Sequence, residues 1–433
     1  MTWLRPISLS IAGLLLAAAP HGVEAREDWV RAWTAPLQAI PQEADLGGTE
    51  MPVFLQAPDV GGRTVREIIY PSLGGEEVRL HISNRYSRAP LDILAARIAK
   101  AKGDAATDDA GIALTFNGSH LLHLPPGGEA DSDPVSLAVK AGQPYATSLY
   151  LGPQQRVEAW HRVSGVTNYV SATGNHARDT SGDAYKTPFM HHAWVTSLSV
   201  ISSVPAEAVL AIGDSITDGL RASPDLVHSW PDGLMRRLAD DHGHQTAILN
   251  AGISGNRLLS DSACFGERLT ARFEREIASA SDLKTAIVLI GINDINFATA
   301  QPHGGLDCFA PQRQVTADDL IAGYRQLAAL AHQHQIRIIL GTLTPAALPP
   351  EREKIRLAVN AWIRSSGESD GVIDFDKALR DPAHPDMLAA AFDSGDHLHP
   401  GDRGYIAMAE AVPLQLLAPP LLSTTTTSDL LTK

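Results

Sequence analysis

From about residue 28 to residue 203, apolar side chains recur at every second position in short runs divided by turn residues. Val78, Leu80 and Ile82 alternate with Arg79, His81 and Ser83; Ile112, Leu114 and Phe116 alternate ahead of Asn117-Gly118; Trp194, Thr196 and Leu198 lead into Val200. Successive side chains of an extended chain point to opposite faces, so this period of two predicts half-buried strands, and their number predicts a β-sandwich, jelly-roll-like in arrangement. Pro125-Pro126-Gly127-Gly128 and the polar run 173–183 read as loops.

After Val204-Pro205 the pattern changes. Short apolar runs at 209–212, 247–249, 286–290, 336–340 and 372–375 alternate with amphipathic stretches. Trp230, Leu234 and Leu238 recur every fourth residue, and Leu320, Tyr324, Leu327 and Ala331 make one helical face behind Thr316, with Asp319 in the first turn. Further helices are expected over 351–364 and 404–412. Strands alternating with helices predict an α/β fold, a parallel sheet with helices on both faces. No internal repeat is evident.

The chain's 433 residues exceed one ordinary core, which favours two domains. Hydrophobic residues make up 44%, excluding a disordered or collagen-like chain. The formal charge of −14 argues against a duplex nucleic-acid binder and favours a neutral substrate. At the N-terminus, Arg5 precedes an apolar stretch over 7–19 and then Val23-Glu24-Ala25, the pattern of a cleaved signal peptide. That stretch of about 13 residues falls short of the roughly 20 that span a bilayer, so no lasting membrane insertion is expected. No cysteine follows it to carry a lipid anchor. The expected organisation is a signal peptide over 1–25, a β-domain over 26–204, an α/β domain over 205–418 and a disordered, Thr- and Ser-rich tail over 419–433. Export, to the periplasm or beyond the cell, makes a disulfide between the only two cysteines, Cys264 and Cys308, reasonable; two buried free thiols are the alternative.

The first α/β strand runs into Gly213-Asp214-Ser215-Ile216-Thr217-Asp218-Gly219, directly before helical sequence. Ser215 therefore belongs at the carboxyl end of a parallel strand, where open sheets bind ligands. It is a candidate nucleophile, or a capping residue in a glycine turn. A serine nucleophile needs a base and a group to orient that base. Asp396-His397-Leu398-His399-Pro400 supplies both from one loop, with Asp396 and His399 as the favoured pair and Asp393 and His397 as competitors. The same loop lacks the further ligands a metal would need, so no metal or cofactor is expected. Two other strand ends offer donors for a developing oxyanion: the Gly255 N–H in Ala251-Gly252-Ile253-Ser254-Gly255-Asn256 and the Asn293 amide in Gly291-Ile292-Asn293-Asp294, beside the Ser215 N–H itself. Glycine and asparagine also simply shape turns.

These four blocks resemble those of the GDSL/SGNH hydrolases, which carry Ser, Gly, Asn and His in that chain order. Here they are Ser215 in Gly-Asp-Ser-Ile, where Ile216 stands for the usual leucine, Gly255, Asn293, and Asp396 with His399. The resemblance spans about 208–412. It implies a flavodoxin-like α/β/α sandwich around a five-stranded parallel sheet, and metal-free ester hydrolysis through an acyl-enzyme. The segment 112–126 with Asp133-Pro134-Val135 is similar to the leading β-domain of exported family members associated with plant-polysaccharide breakdown. The expected substrate is accordingly a short acyl, acetyl above all, ester on a carbohydrate. Alternatives are a lipid-directed esterase or lysophospholipase, a broad arylesterase, and a binding protein on a hydrolase scaffold. Trp160, His161 and Tyr169 are candidates for stacking on sugar, though aromatics in strands are more often core.

Overall fold

The computed structural model describes residues 29–240, 245–278 and 282–417. The expected signal peptide over 1–25 and tail over 419–433 lie outside the described residues.

The first part of the chain forms two antiparallel sheets. One has the order Trp29–Thr34, Val195–Ile201, Gly75–Ser83, Val135–Val139, with Glu129–Asp131 also paired to Gly75–Ser83. The other runs Tyr185–Phe189, Asn168–Thr173, Arg63–Ile69, Tyr145–Leu151, Leu91–Gly103, Ala106–Thr107. The alternation carries through to burial, since Val78, Leu80 and Ile82 are all fully buried. Asn117-Gly118 makes a two-residue turn with both φ angles positive (51° and 78°), the geometry that hairpin twist favours. The run leading into it is strand only at Ile112–Ala113. Asp133 accounts for the break: its carboxylate accepts from Thr115 Oγ1 and from the Asn117 and Gly118 N–H groups, holding that backbone away from a ladder.

The second part holds five parallel strands: β1 (Glu207–Gly213), β2 (Thr246–Gly252), β3 (Leu283–Leu289), β4 (Arg337–Gly341) and β5 (Gly371–Ile373). Their order is β2-β1-β3-β4-β5. Between them come α1 (Ser215–Asp218), α2 (Trp230–Asp240), α3 (Leu269–Ala278), α4 (Ile292–Phe297), α5 (Ala317–Gln333), α6 (Pro350–Ser365), α7 (Phe375–Leu379) and α8 (Asp402–Ala411). Helices cover both faces, so central strands such as Val209-Leu210-Ala211-Ile212 are apolar throughout rather than alternating. Thr316 caps α5 by accepting from the Asp319 N–H, and the Asp319 carboxylate returns a bond to the Thr316 N–H. The strand order reverses between β1 and β3, which opens a crevice at the carboxyl end of β1.

The two parts pack together. The edge strand β2 has its Ile248 N–H bonded to Ser72 Oγ at 2.9 Å, and the Arg31 N–H donates to Asp282 Oδ2 at 2.8 Å. An exposed sheet edge is thereby covered. A two-stranded sheet, Gln38–Ala39 with Ala159–Trp160, lies against the loop over 262–267, where Gln38 Nε2 donates to the Cys264 carbonyl.

Candidate active site

Ser215 opens α1 directly after β1, in that crevice. Gly213, just before it, has no room for a side chain: a Cβ would lie 2.1 Å from the Leu289 carbonyl oxygen. Asp214 caps α1 by accepting from the Ile216 N–H at 3.0 Å. Its other carboxylate oxygen is buried without a partner among the described residues. Burial, reinforced by Asp294 and Asp218, pushes the Asp214 carboxyl up to about 7.

The loop before α8 resolves the competition among its acids and histidines. Ser215 Oγ lies 2.8 Å from His399 Nε2, and His399 Nδ1 lies 2.8 Å from Asp396 Oδ2. Asp396 Oδ1 accepts from the His399 and Leu398 N–H groups, and Arg221 Nε stands 3.2 Å from Oδ2. Burial works to raise the Asp396 carboxyl, but the His399 bonds, the Leu398 N–H and the charge on the ring outweigh it and hold it far below the usual range. Asp393 and His397 pair with each other instead, at 2.6 Å, with His397 largely exposed. That pair braces the turn, because Asp393 also accepts from the Gly395 and His397 N–H groups.

The expected donors come from the ends of β2 and β3. The Ser215 and Gly255 N–H groups have no acceptor among the described residues. Asn293 gives one amide hydrogen to the Asn256 carbonyl at 2.9 Å, which leaves its second hydrogen for another acceptor. Gly255 has φ of +84°, and a Cβ there would meet Phe265 ring carbons at 2.4 to 2.7 Å. The position demands glycine both for its backbone and for the ring lying on it. Cys264, next to Phe265, is disulfide-bonded to Cys308. Closing a loop of 44 residues stabilises by about 4 kcal/mol in the chain-entropy model.

Several residues that hold this geometry have no visible signal in the sequence. Asp218 Oδ2 accepts from the Ser254 N–H at 2.9 Å and from Ser254 Oγ at 2.5 Å, fixing the residue before Gly255. Asp218 Oδ1 lies 3.0 Å from Nε2 of His161, a residue of the β-rich part whose Nδ1 faces the Pro36 carbonyl. Asn256 donates to the Phe265 and Glu267 carbonyls and accepts from buried Arg272, which also bonds the Gly213 and Ala251 carbonyls. Asp294 accepts from the Leu258 and Leu259 N–H groups; burial still raises its carboxyl to about 6. Of the aromatics considered for stacking, Trp160 is fully buried, His161 is committed to Asp218, and Tyr169 is half-buried against the cluster of Ile68, Ala101, Ala146 and Val166.

The GDSL-like lipase/acylhydrolase family matches residues 211–407, a span containing Ser215, Gly255, Asn293, Asp396 and His399. Among solved structures, the chain is similar to the acetylxylan esterase Axe2 from Geobacillus stearothermophilus, at 24% identity over 49% of this chain and 94% of that one, with a TM-score of 0.36. It is similar also to a GDSL-like lipase from Bacteroides thetaiotaomicron, at 18% identity over 49% of this chain and 88% of that one, with a TM-score of 0.33. No curated protein matches the chain. Among the described residues, no helix is long and apolar enough to cross a membrane. Residues 211–407 form a GDSL-like lipase/acylhydrolase domain, and the protein that carries it is a hydrolase.

Proposed function

We propose that the protein is a serine esterase acting on short acyl esters, acetyl above all, carried by a carbohydrate. The observation that carries the reading is the chain of two 2.8 Å contacts from Ser215 Oγ through His399 to Asp396. In it His399 takes the Ser215 proton as the oxygen attacks the ester carbonyl, and Asp396 orients the ring and stabilises its charge. The Ser215 and Gly255 N–H groups and the Asn293 amide hold the oxyanion. His399 then protonates the departing alcohol, and water activated by the same ring hydrolyses the acyl-enzyme. No cofactor enters these steps. Polar groups at the site, Arg221 on Asp396 and Arg162 beyond Phe265, favour a hydrated alcohol over a lipid one. The leader-like segment 1–25 and the Cys264–Cys308 bond support action outside the cytoplasm.

The test is acetate release from acetylated xylan, beside a chain-length series of nitrophenyl esters, with wild type and Ser215→Ala. Release that vanishes in the variant, with rates falling beyond about four acyl carbons, is the expected result. Activity confined to long acyl chains transfers the assignment to a lipid-directed esterase, and full activity in Ser215→Ala overturns the mechanism.

A further inference from the structure

Arg162 belongs to the β-rich part of the chain, yet it stands at the site. Its backbone is held on both sides: its carbonyl accepts from His191 Nδ1, and the preceding His161 exchanges two backbone bonds with His192. Its guanidinium carbon lies 5.6 Å from the centroid of the Phe265 ring and 5.7 Å from that of Phe54. Phe265 is the ring that rests on Gly255, so the same phenyl group lies near both this cation and one of the proposed oxyanion donors. The carboxylate that attracts it is Asp218, whose oxygens are already engaged by His161 and Ser254. No side chain or carbonyl among the described residues accepts a hydrogen bond from the Arg162 guanidinium, and its Nε is buried without a partner.

A buried guanidinium normally finds carboxylates or carbonyls, because leaving its N–H groups unpaired is costly. Arg272 in this chain reaches three oxygen acceptors, although its Nη1 is buried without one, and Arg356 reaches Glu353 and Asp376. Arg162 differs in being oriented by its backbone and two aromatic rings while its planar fork stays uncommitted beside a candidate catalytic centre. A fork of that kind matches a carboxylate with two parallel hydrogen bonds.

We propose that Arg162 is a specificity residue that binds a carboxylate carried by the ester substrate. The inference rests on the esterase reading and narrows its substrate class to carboxylate-bearing esters. The overall charge of −14 disfavours long polyanions but does not oppose a single carboxylate at short range, where the fork acts within a few ångströms and distant surface charges are screened. The carboxylate has two possible positions, on the alcohol, as in an acetylated uronic-acid oligosaccharide, or on the acyl group, as in a hemisuccinate.

The experiment uses the full chain and two matched pairs: an acetylated uronate oligosaccharide against its methyl-esterified form, and an aryl hemisuccinate against its methyl ester. For each pair the ratio of kcat/KM, acidic over neutral, is measured in wild type, Arg162→Gln, Arg162→Ala and Arg162→Lys. In wild type the ratio is expected to be roughly 10- to 100-fold in one pair, carried by KM, as for a hydrogen bond to a charged group. The pair that shows it locates the carboxylate. Glutamine and alanine bring the ratio towards one, and lysine keeps part of it. Because a ratio within one variant cancels any loss of folded enzyme, a structural effect of the substitution cannot imitate this result. A wild-type ratio near one in both pairs, or a ratio unchanged in Arg162→Gln, overturns the inference. Hydrolysis that persists in Ser215→Ala overturns the esterase reading instead, so the two failures are distinguishable.

Discussion

Replacing Gly255 by alanine tests whether the loop after β2 positions an oxyanion donor or only makes a turn. Two costs follow from the geometry at this position. A non-glycine residue at φ of +84° pays roughly 1–2 kcal/mol for its left-handed backbone. The new methyl would also stand 2.4 to 2.7 Å from Phe265 ring carbons, and relieving such overpacking costs typically 1–3 kcal/mol. Together the loss of stability is about 2–5 kcal/mol, measured as the shift of the urea unfolding curve. Phe265 cannot retreat freely, since its carbonyl is bonded to Asn256 and its neighbour Cys264 is tied to Cys308. The glycine backbone must therefore yield, and the N–H moves with it. Loss of one oxyanion donor lowers kcat by about 10²–10³. The assay is kcat on nitrophenyl acetate for Gly255→Ala and for Gly255→Ala combined with Phe265→Ala. The second variant removes the clash but keeps the backbone penalty, so it should recover the larger part of the stability. A Gly255→Ala enzyme with wild-type unfolding and kcat within about threefold would refute the placement of that N–H.

Asn293→Ala should lower kcat by about 10²–10³ in a folded protein, since a side chain held by the Asn256 carbonyl has one hydrogen to give the oxyanion; a loss under threefold removes it from the site. His161→Ala leaves the Asp218 carboxylate with an unpaired oxygen, costing about 1–3 kcal/mol of stability, and the kinetic effect should fall on kcat more than on KM because Ser254 carries Gly255. A change confined to stability would show that His161 has no part in positioning. Asp214 sets a pH dependence whose sign follows from its raised pKa. The folded state holds its proton to about pH 7 while the unfolded state releases it near 3.8, so this group's contribution, on the order of 4 kcal/mol, is full below 3.8 and is lost as pH rises to 7. Urea unfolding between pH 4.5 and 8 should decline less steeply in Asp214→Asn than in wild type, and parallel profiles would contradict the assignment.

What could be read from the sequence was what repeats or clusters along it. The run Val209 to Ile212 ending in Gly-Asp-Ser announced a buried strand with a serine at its end, and all five parallel strands overlap their apolar runs, although the fifth stops at Ile373 and Phe375 opens α7 instead. The loop Asp393 to Pro400 was legible as a source of acid and base but not as to which pair faced the serine. That depended on the chain reversal that leaves His397 at φ of +63° and sends it outward. The short helices α1, α4 and α7 carry no periodicity to detect, being one or two turns long. The supporting polar residues were invisible for a different reason. Asp218, Asn256, Arg272 and Asp294 are buried only because their partners come from other segments, and a sequence does not show which polar side chain will find a distant acceptor.

The β-rich half of the chain is tied to the hydrolase part by distant polar contacts of the same kind. If it were an independent glycan-binding module, its contacts with the hydrolase part would involve surface far from the serine, and the Gly255 loop would be complete without it. Instead, three of its residues meet that loop or its anchor: Gln38 on the Cys264 carbonyl, His161 on Asp218, and Arg162 over Phe265. Each contact touches an element that fixes where the Gly255 N–H points, or what can lie beside it. Deleting the first half should therefore not leave a smaller esterase with unchanged chemistry and poorer binding to polymer. It removes the partner of a buried carboxylate and uncovers the edge of β2, whose Ile248 N–H depends on Ser72. On this geometry the β-rich part walls the candidate active site, and under the Arg162 proposal substrate choice depends on both halves of the chain.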